Sequence, residues 1–156
     1  MYRSEQNWEA LTTLGLGYHV VRASDTLPQT TTETLFTVAG GRCLVTLMYG
    51  KCVDTVFSAT DPQIDVLSNP TTGTSTALAS TLDSKDLEVN GYLVVEGDGS
   101  ALVKSTAGGI IFAVGQRRCV VPVGEIQLHS LASQTGSMEW HLWYVPLDDG
   151  AYIVEA

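Results

Sequence analysis

The sequence predicts an all-β fold: a β-sandwich of jelly-roll type with an N-terminal arm. Three observations carry this. From residue 35 onward, short apolar or alternating runs are separated by Gly-, Asn- and Asp-containing turn signals. Helical periodicity is almost absent. Finally, 44% of the 156 residues are hydrophobic and 16% are charged, which supplies apolar material for one core in one domain.

Residues 1–34 read as an arm and linker, and residues 35–156 as the sandwich domain. Ser4 is placed to cap a short helix carrying Trp8, Leu11 and Leu14, which Gly15 and Gly17 end. Asp25 to Thr32 is polar, contains Pro28, and reads as an extended linker. Yet the arm holds Trp8, Leu11, Leu14, Leu16, Tyr18, Val20 and Val21. That is too much apolar surface for a plain tail, so the arm is expected to dock on its own domain or a neighbour.

Leu35 to Val38 reads as a strand ending at Gly40-Gly41. Cys43 to Tyr49 is apolar on both sides. Strict alternation puts Cys43, Val45, Leu47 and Tyr49 on one face, and Leu44 and Met48 on the other. Gly50-Lys51 fits a two-residue type II′ turn, with Cys52 to Phe57 returning antiparallel. Ile64 to Leu67 is a strand closed by Ser68-Asn69-Pro70; residues 71–80 are a long loop or a Thr-rich strand around Thr76 to Leu82. Tyr92 to Glu96 and Ala101 to Lys104 flank a Gly97-Asp98-Gly99-Ser100 turn. Ile110 to Val114 and Cys119 to Val123 follow. In Glu125 to His129, Ile126 and Leu128 point inward. In Met138 to Val145, Met138, Trp140, Leu142 and Tyr144 share one face, and Glu139, His141, Trp143 and Val145 the other. Ala151 to Val154 is the last strand.

Composition narrows the function. A net charge of −9 with no basic stripe makes nucleic acid and anionic membrane surfaces poor partners. No stretch approaches the roughly 20 apolar residues of a membrane helix. The N-terminal residues lack the apolar run of a secretory signal, so synthesis and folding in a cytoplasm are expected. Cys43, Cys52 and Cys119 have no paired ligand spacing and read as small buried hydrophobes, so neither a metal nor a cofactor is expected. Asp98 and Asp148-Asp149 carry oxygen ligands suited to calcium, but Gly–Asp clusters are ordinary turn chemistry. Nucleophile-elbow, zinc-protease and phosphate-loop motifs are absent, and a non-enzyme is expected. His19, His129 and His141 are far apart in sequence and read as satisfied surface or interface side chains. An enzyme would have to assemble its site from dispersed groups such as His129, His141 and nearby carboxylates.

Apolar and charged groups without an internal task point to an interface. If Trp140 points inward, Trp143 points outward, where a lone large aromatic suggests contact with another chain. Expected interface residues are therefore Trp8, Leu11, Leu14 and Tyr18 in the arm, the basic pair Arg117-Arg118, and His141 beside Trp143.

Several stretches form a recognisable set: Leu27-Pro28-Gln29; Leu35-Phe36-Thr37-Val38 with Gly40-Gly41; Asn69-Pro70-Thr71 with Gly73-Thr74; Val121-Pro122-Val123-Gly124 with Ile126 and Leu128; and Thr135-Gly136 followed by Trp140 to Leu147 and Gly150-Ala151. Together, over roughly residues 27 to 155, they make the chain resemble the small structural proteins of tailed phages, of the capsid cement or decoration type. The resemblance implies a virion protein on the capsid surface, synthesised in the host cytoplasm, with the major capsid protein and copies of itself as partners, as a homotrimer. It carries no catalytic residues. The alternative from the same residues is a carbohydrate- or receptor-binding β-sandwich of a phage tail or fibre, with Trp143 as a stacking platform.

Overall fold

The computed structural model describes residues 14–56, 63–105 and 117–156. They form eleven strands: β1 (Tyr18–Thr26), β2 (Thr32–Ala39), β3 (Cys43–Asp54), β4 (Gln63–Pro70), β5 (Thr76–Asp83), β6 (Tyr92–Val94), β7 (Val103–Ser105), β8 (Cys119–Val121), β9 (Gly124–Ser130), β10 (Ser137–Pro146) and β11 (Tyr152–Glu155). One sheet has the order β1-β10-β3-β6-β7, with β8 paired to the start of β3; the other has the order β11-β2-β9-β4-β5.

The topology is a jelly roll. Four antiparallel pairs nest in sequence: β1 with β10, β2 with β9, β3 with β6, and β4 with β5. The chain thus runs as one long hairpin whose successive pairs fall alternately in the two sheets. Pairing of β10 with β3 and of β9 with β4 knits each sheet together.

Alternation explains the core. On β9, Ile126 and Leu128 are buried; on β10, Met138, Trp140, Leu142 and Tyr144 are buried. They meet Leu35, Phe36, Met48, Ile64 and Leu93 between the sheets. The faces expected for β9 and β10 are those observed.

Three sequence expectations differ from the structure. The Gly50-Lys51 turn does not exist: β3 runs unbroken for 12 residues through it. Gly50 lies opposite Trp140 of β10 and Leu93 of β6, and it lacks the positive φ that a type II′ turn needs. A Cβ there would come within 2.7 Å of Met138 Cε and 3.0 Å of the Trp140 ring. The glycine is there because the Trp140 ring needs the space.

The faces of β3 also change partway along. Trp143 pairs with Leu47 but Tyr144 pairs with Val45, so Thr46 is an extra residue. This bulge reverses the alternation. Cys43 and Val45 point inward before it; Met48, Gly50 and Cys52 do so after it. Leu47 and Tyr49 therefore face outward, opposite to Cys43 and Val45.

The boundary expected at residue 34 falls inside the sandwich. Tyr18–Thr26 is the edge strand of the six-stranded sheet, β2 begins at Thr32, and Leu27 between them is in the core. Val20 packs on the core, and Arg22 Nη2 hydrogen-bonds Glu33 on β2 and lies 3.4 Å from Asp25, tying the two sheets at this edge. The expected helix over Trp8 and Leu11 lies outside the described residues. Leu14 to Leu16 are helical, with Leu14 exposed. The strand expected at Ile110 to Val114 also lies outside them.

Candidate functional site

Because Met138, Trp140, Leu142 and Tyr144 point inward, their neighbours on β10 must point out. Register then aligns three cross-strand rows on the outer side of the six-stranded sheet. His19, Trp143 and Leu47 form the first; Val21, His141, Tyr49 and Val94 the second; Glu139, Lys51 and Tyr92 the third.

The rings in these rows touch. His19 lies flat on Trp143, with centroids 3.9 Å apart and planes 9° apart. His141 lies over Tyr49 at 4.8 Å, and Tyr49 meets Tyr92 edge-on at 5.8 Å. His19 Nε2 and His141 Nδ1 are 3.2 Å apart, and His141 Nε2 is 2.9 Å from Glu139 Oε1. Burial, followed by the neighbouring His141, lowers the His19 pKa from its ordinary value. The Trp143 indole N–H is sealed from solvent and has no hydrogen-bond partner among the described residues. A buried donor without an acceptor costs about 1–3 kcal/mol.

This cluster contains two of the expected interface residues, His141 and Trp143. His19, Tyr49 and Tyr92 join them. In the sequence His19 falls within the arm, and the Thr46 bulge hides the outward direction of Tyr49. Tyr18 instead sits over the inward-facing Tyr144 at 5.8 Å, exposed at the sheet edge. Arg117 is exposed and pairs with Asp98 at 3.6 Å, and Arg118 is exposed just before β8. Trp8 and Leu11 lie outside the described residues.

The remaining chemical groups are accounted for locally. His129 Nδ1 is 3.1 Å from Asp65 Oδ1 across the β9–β4 register, on the outer side of the five-stranded sheet. Cys43 and Cys52 are buried and Cys119 is half-buried; burial raises all three thiols, Cys52 to about 11. That makes them poor nucleophiles. A groove of about 520 Å³ runs past Thr74, Thr76, Asp98 and Cys119; another of about 330 Å³ is lined by Thr55, Asp86, Glu88 and Val89. Neither histidine pair lines these grooves. Among the described residues, no group of three or more His, Cys, Asp or Glu side chains could hold a metal ion.

Two of the three candidate calcium aspartates, Asp98 and Asp148, are engaged in turns. Asp98 accepts from the Ser100 backbone N–H and hydroxyl. Asp148 accepts from the Arg42 backbone at 2.7 Å and from its guanidinium at 2.7 and 2.9 Å. These Arg42 bonds hold the Asp148 carboxyl well below the usual carboxylate range. The interaction therefore contributes fully above about pH 4, the unfolded value, and is lost as pH falls through the lower folded value. In a carboxyl NMR titration, Arg42→Ala, which removes the guanidinium but keeps the backbone N–H, should raise the Asp148 midpoint toward the ordinary carboxylate value; an unmoved midpoint would show that the guanidinium is not the cause.

No family model matches the chain, and neither does any curated protein or solved structure compared with it.

Proposed function

We propose that this chain is a non-catalytic structural protein that docks on a larger assembly through the outer side of its six-stranded sheet. The observation that carries this is the Trp143 cluster: five aromatic or imidazole rings on one sheet face, around an indole N–H that nothing in the described chain satisfies. Aromatic anchors of this kind dominate protein–protein contacts. The cement-protein resemblance supplies the assembly: the capsid shell of a tailed phage, decorated by copies of this chain as homotrimers. A rigid jelly roll with few charges suits that task, because many weak contacts act together across a shell.

Trp143→Ala tests the reading. The variant should keep its fold, since the ring is not in the inter-sheet core. It should fail to co-sediment with empty shells that retain the unaltered protein. Attachment equal to that of the unaltered protein would overturn the proposed face.

One observation favours a sugar-binding role instead: Glu139, Lys51 and Tyr92 place polar groups and a ring in a single row. Against it, one face of the Trp143 indole is already covered by His19. Binding on a glycan array that Trp143→Ala abolishes would decide for the sugar reading.

A further inference from the structure

We infer that His19, His141 and Glu139 form a clasp on the first half of β1, one that holds while the two imidazoles carry at most one extra proton and opens when both are charged. Its bearing on docking rests on the function proposed above, while the clasp itself rests on side-chain geometry.

The two imidazole rings are nearly coplanar, with planes 12° apart and centroids 5.4 Å apart. Nitrogens 3.2 Å apart in such rings point head to head, with room for one hydrogen between them. In the neutral pair, His19 Nε2–H donates to His141 Nδ1, and His141 Nε2–H donates to Glu139. One added proton fits. If it sits on His19 Nδ1, both bonds survive. If it sits on His141, that ring donates in both directions, and His19 changes tautomer to accept. A second proton does not fit, because both facing nitrogens then carry hydrogens and both rings carry charge.

The surroundings make the rearrangement matter. His19 lies flat on Trp143, so it cannot swing away without uncovering the indole. Glu139 and His141 face it from β10; Tyr49 and Lys51 stand on β3, with Lys51 in register with Glu139. Tyr92 and Glu96 belong to β6 and the residues after it. On β1 itself, Arg22 and Asp25 interact with each other, and Arg22 with Glu33. Glu139 is thus the carboxylate bonded to the pair.

The sign follows. His19 protonates less readily in the closed state than in an open one, so the open state binds more protons in acid. The clasp is therefore secure at neutral pH and weakens as pH falls below the ordinary imidazole value. Residues 18–21 are the part of the edge strand it holds, and loosening them disturbs the Trp143 cluster.

The experiment uses the full chain in the unassembled state, so a failure of shell attachment would not affect it. Ring ¹⁵N spectra from pH 8 to 4.5 should show His19 taking up its proton below the ordinary imidazole value. Amide exchange at whichever of Val20 and Val21 donates to β10, corrected for its intrinsic pH dependence, should speed up by about tenfold over the same pH range. His19→Gln, which cannot be charged, should remove that acceleration. An exchange rate that does not rise in the unaltered chain, or the same acceleration in His19→Gln, would overturn the clasp.

Discussion

Replacing Trp140 by alanine should lower the unfolding free energy by about 3–5 kcal/mol, the largest loss for any single side chain of this fold. The measurement is a urea midpoint shifted down at an unchanged slope. Trp140 heads the largest fully buried side chains, at 1% exposure in mid-β10. Its ring lies over Gly50 on β3, a position with no side chain to collapse into the space left behind. Removing the ring therefore leaves a cavity between the sheets rather than a gap that neighbours fill. The comparison with Trp143→Ala is informative because the two residues are three apart on one strand and so point to opposite faces. A large loss for Trp140 and a small one for Trp143 is expected. A loss below about 1 kcal/mol for Trp140→Ala would mean that the core relaxes around the deletion, contrary to its packing over Gly50.

The same strand shows what a sequence can and cannot reveal here. The faces of β10 were legible because each inward residue is large and apolar and the alternation is unbroken from Met138 to Tyr144. The course of β3 was not. A glycine in a turn and a glycine yielding to a tryptophan are the same letter, and the choice between them depends on a residue 90 positions away. The Thr46 bulge is likewise invisible, because it exists only in the pairing of β3 with β10. In the sequence β1 reads as an arm because an edge strand buries little and needs little apolar alternation. This hides the site more than any other feature, since His19 comes from β1 and His141 lies 122 positions on. Trp143 and His141 were visible as outward residues, but the partners that turn them into a cluster were visible only through the topology.

Gln134→Ala should cost about 2–4 kcal/mol, a large loss for a polar loop residue. Gln134 is 4% exposed in the β9–β10 connection. Its Oε1 accepts from Ser84 Oγ at 3.1 Å, and its Nε2 donates to Ser130 Oγ at 2.8 Å. Its backbone N–H donates to Gln29 Oε1 at 2.9 Å, and its carbonyl accepts from Gln29 Nε2. One residue thus joins the β1–β2 connection, the end of β5 and the β9–β10 connection at one end of the sandwich. Truncation removes one hydrogen bond from each of Ser84 and Ser130, both fully buried, although Ser130 still donates to the Ala132 carbonyl. A double-mutant cycle with Ser130→Ala separates this network from simple loss of volume. The two substitutions together should cost less than the sum of each alone, by at least about 0.5 kcal/mol. Strict additivity would mean that the hydrogen bonds are incidental and that Gln134 acts only by filling space. Coupling would show that these loops, which carry no regular pairing of their own, are held by a satisfied polar core.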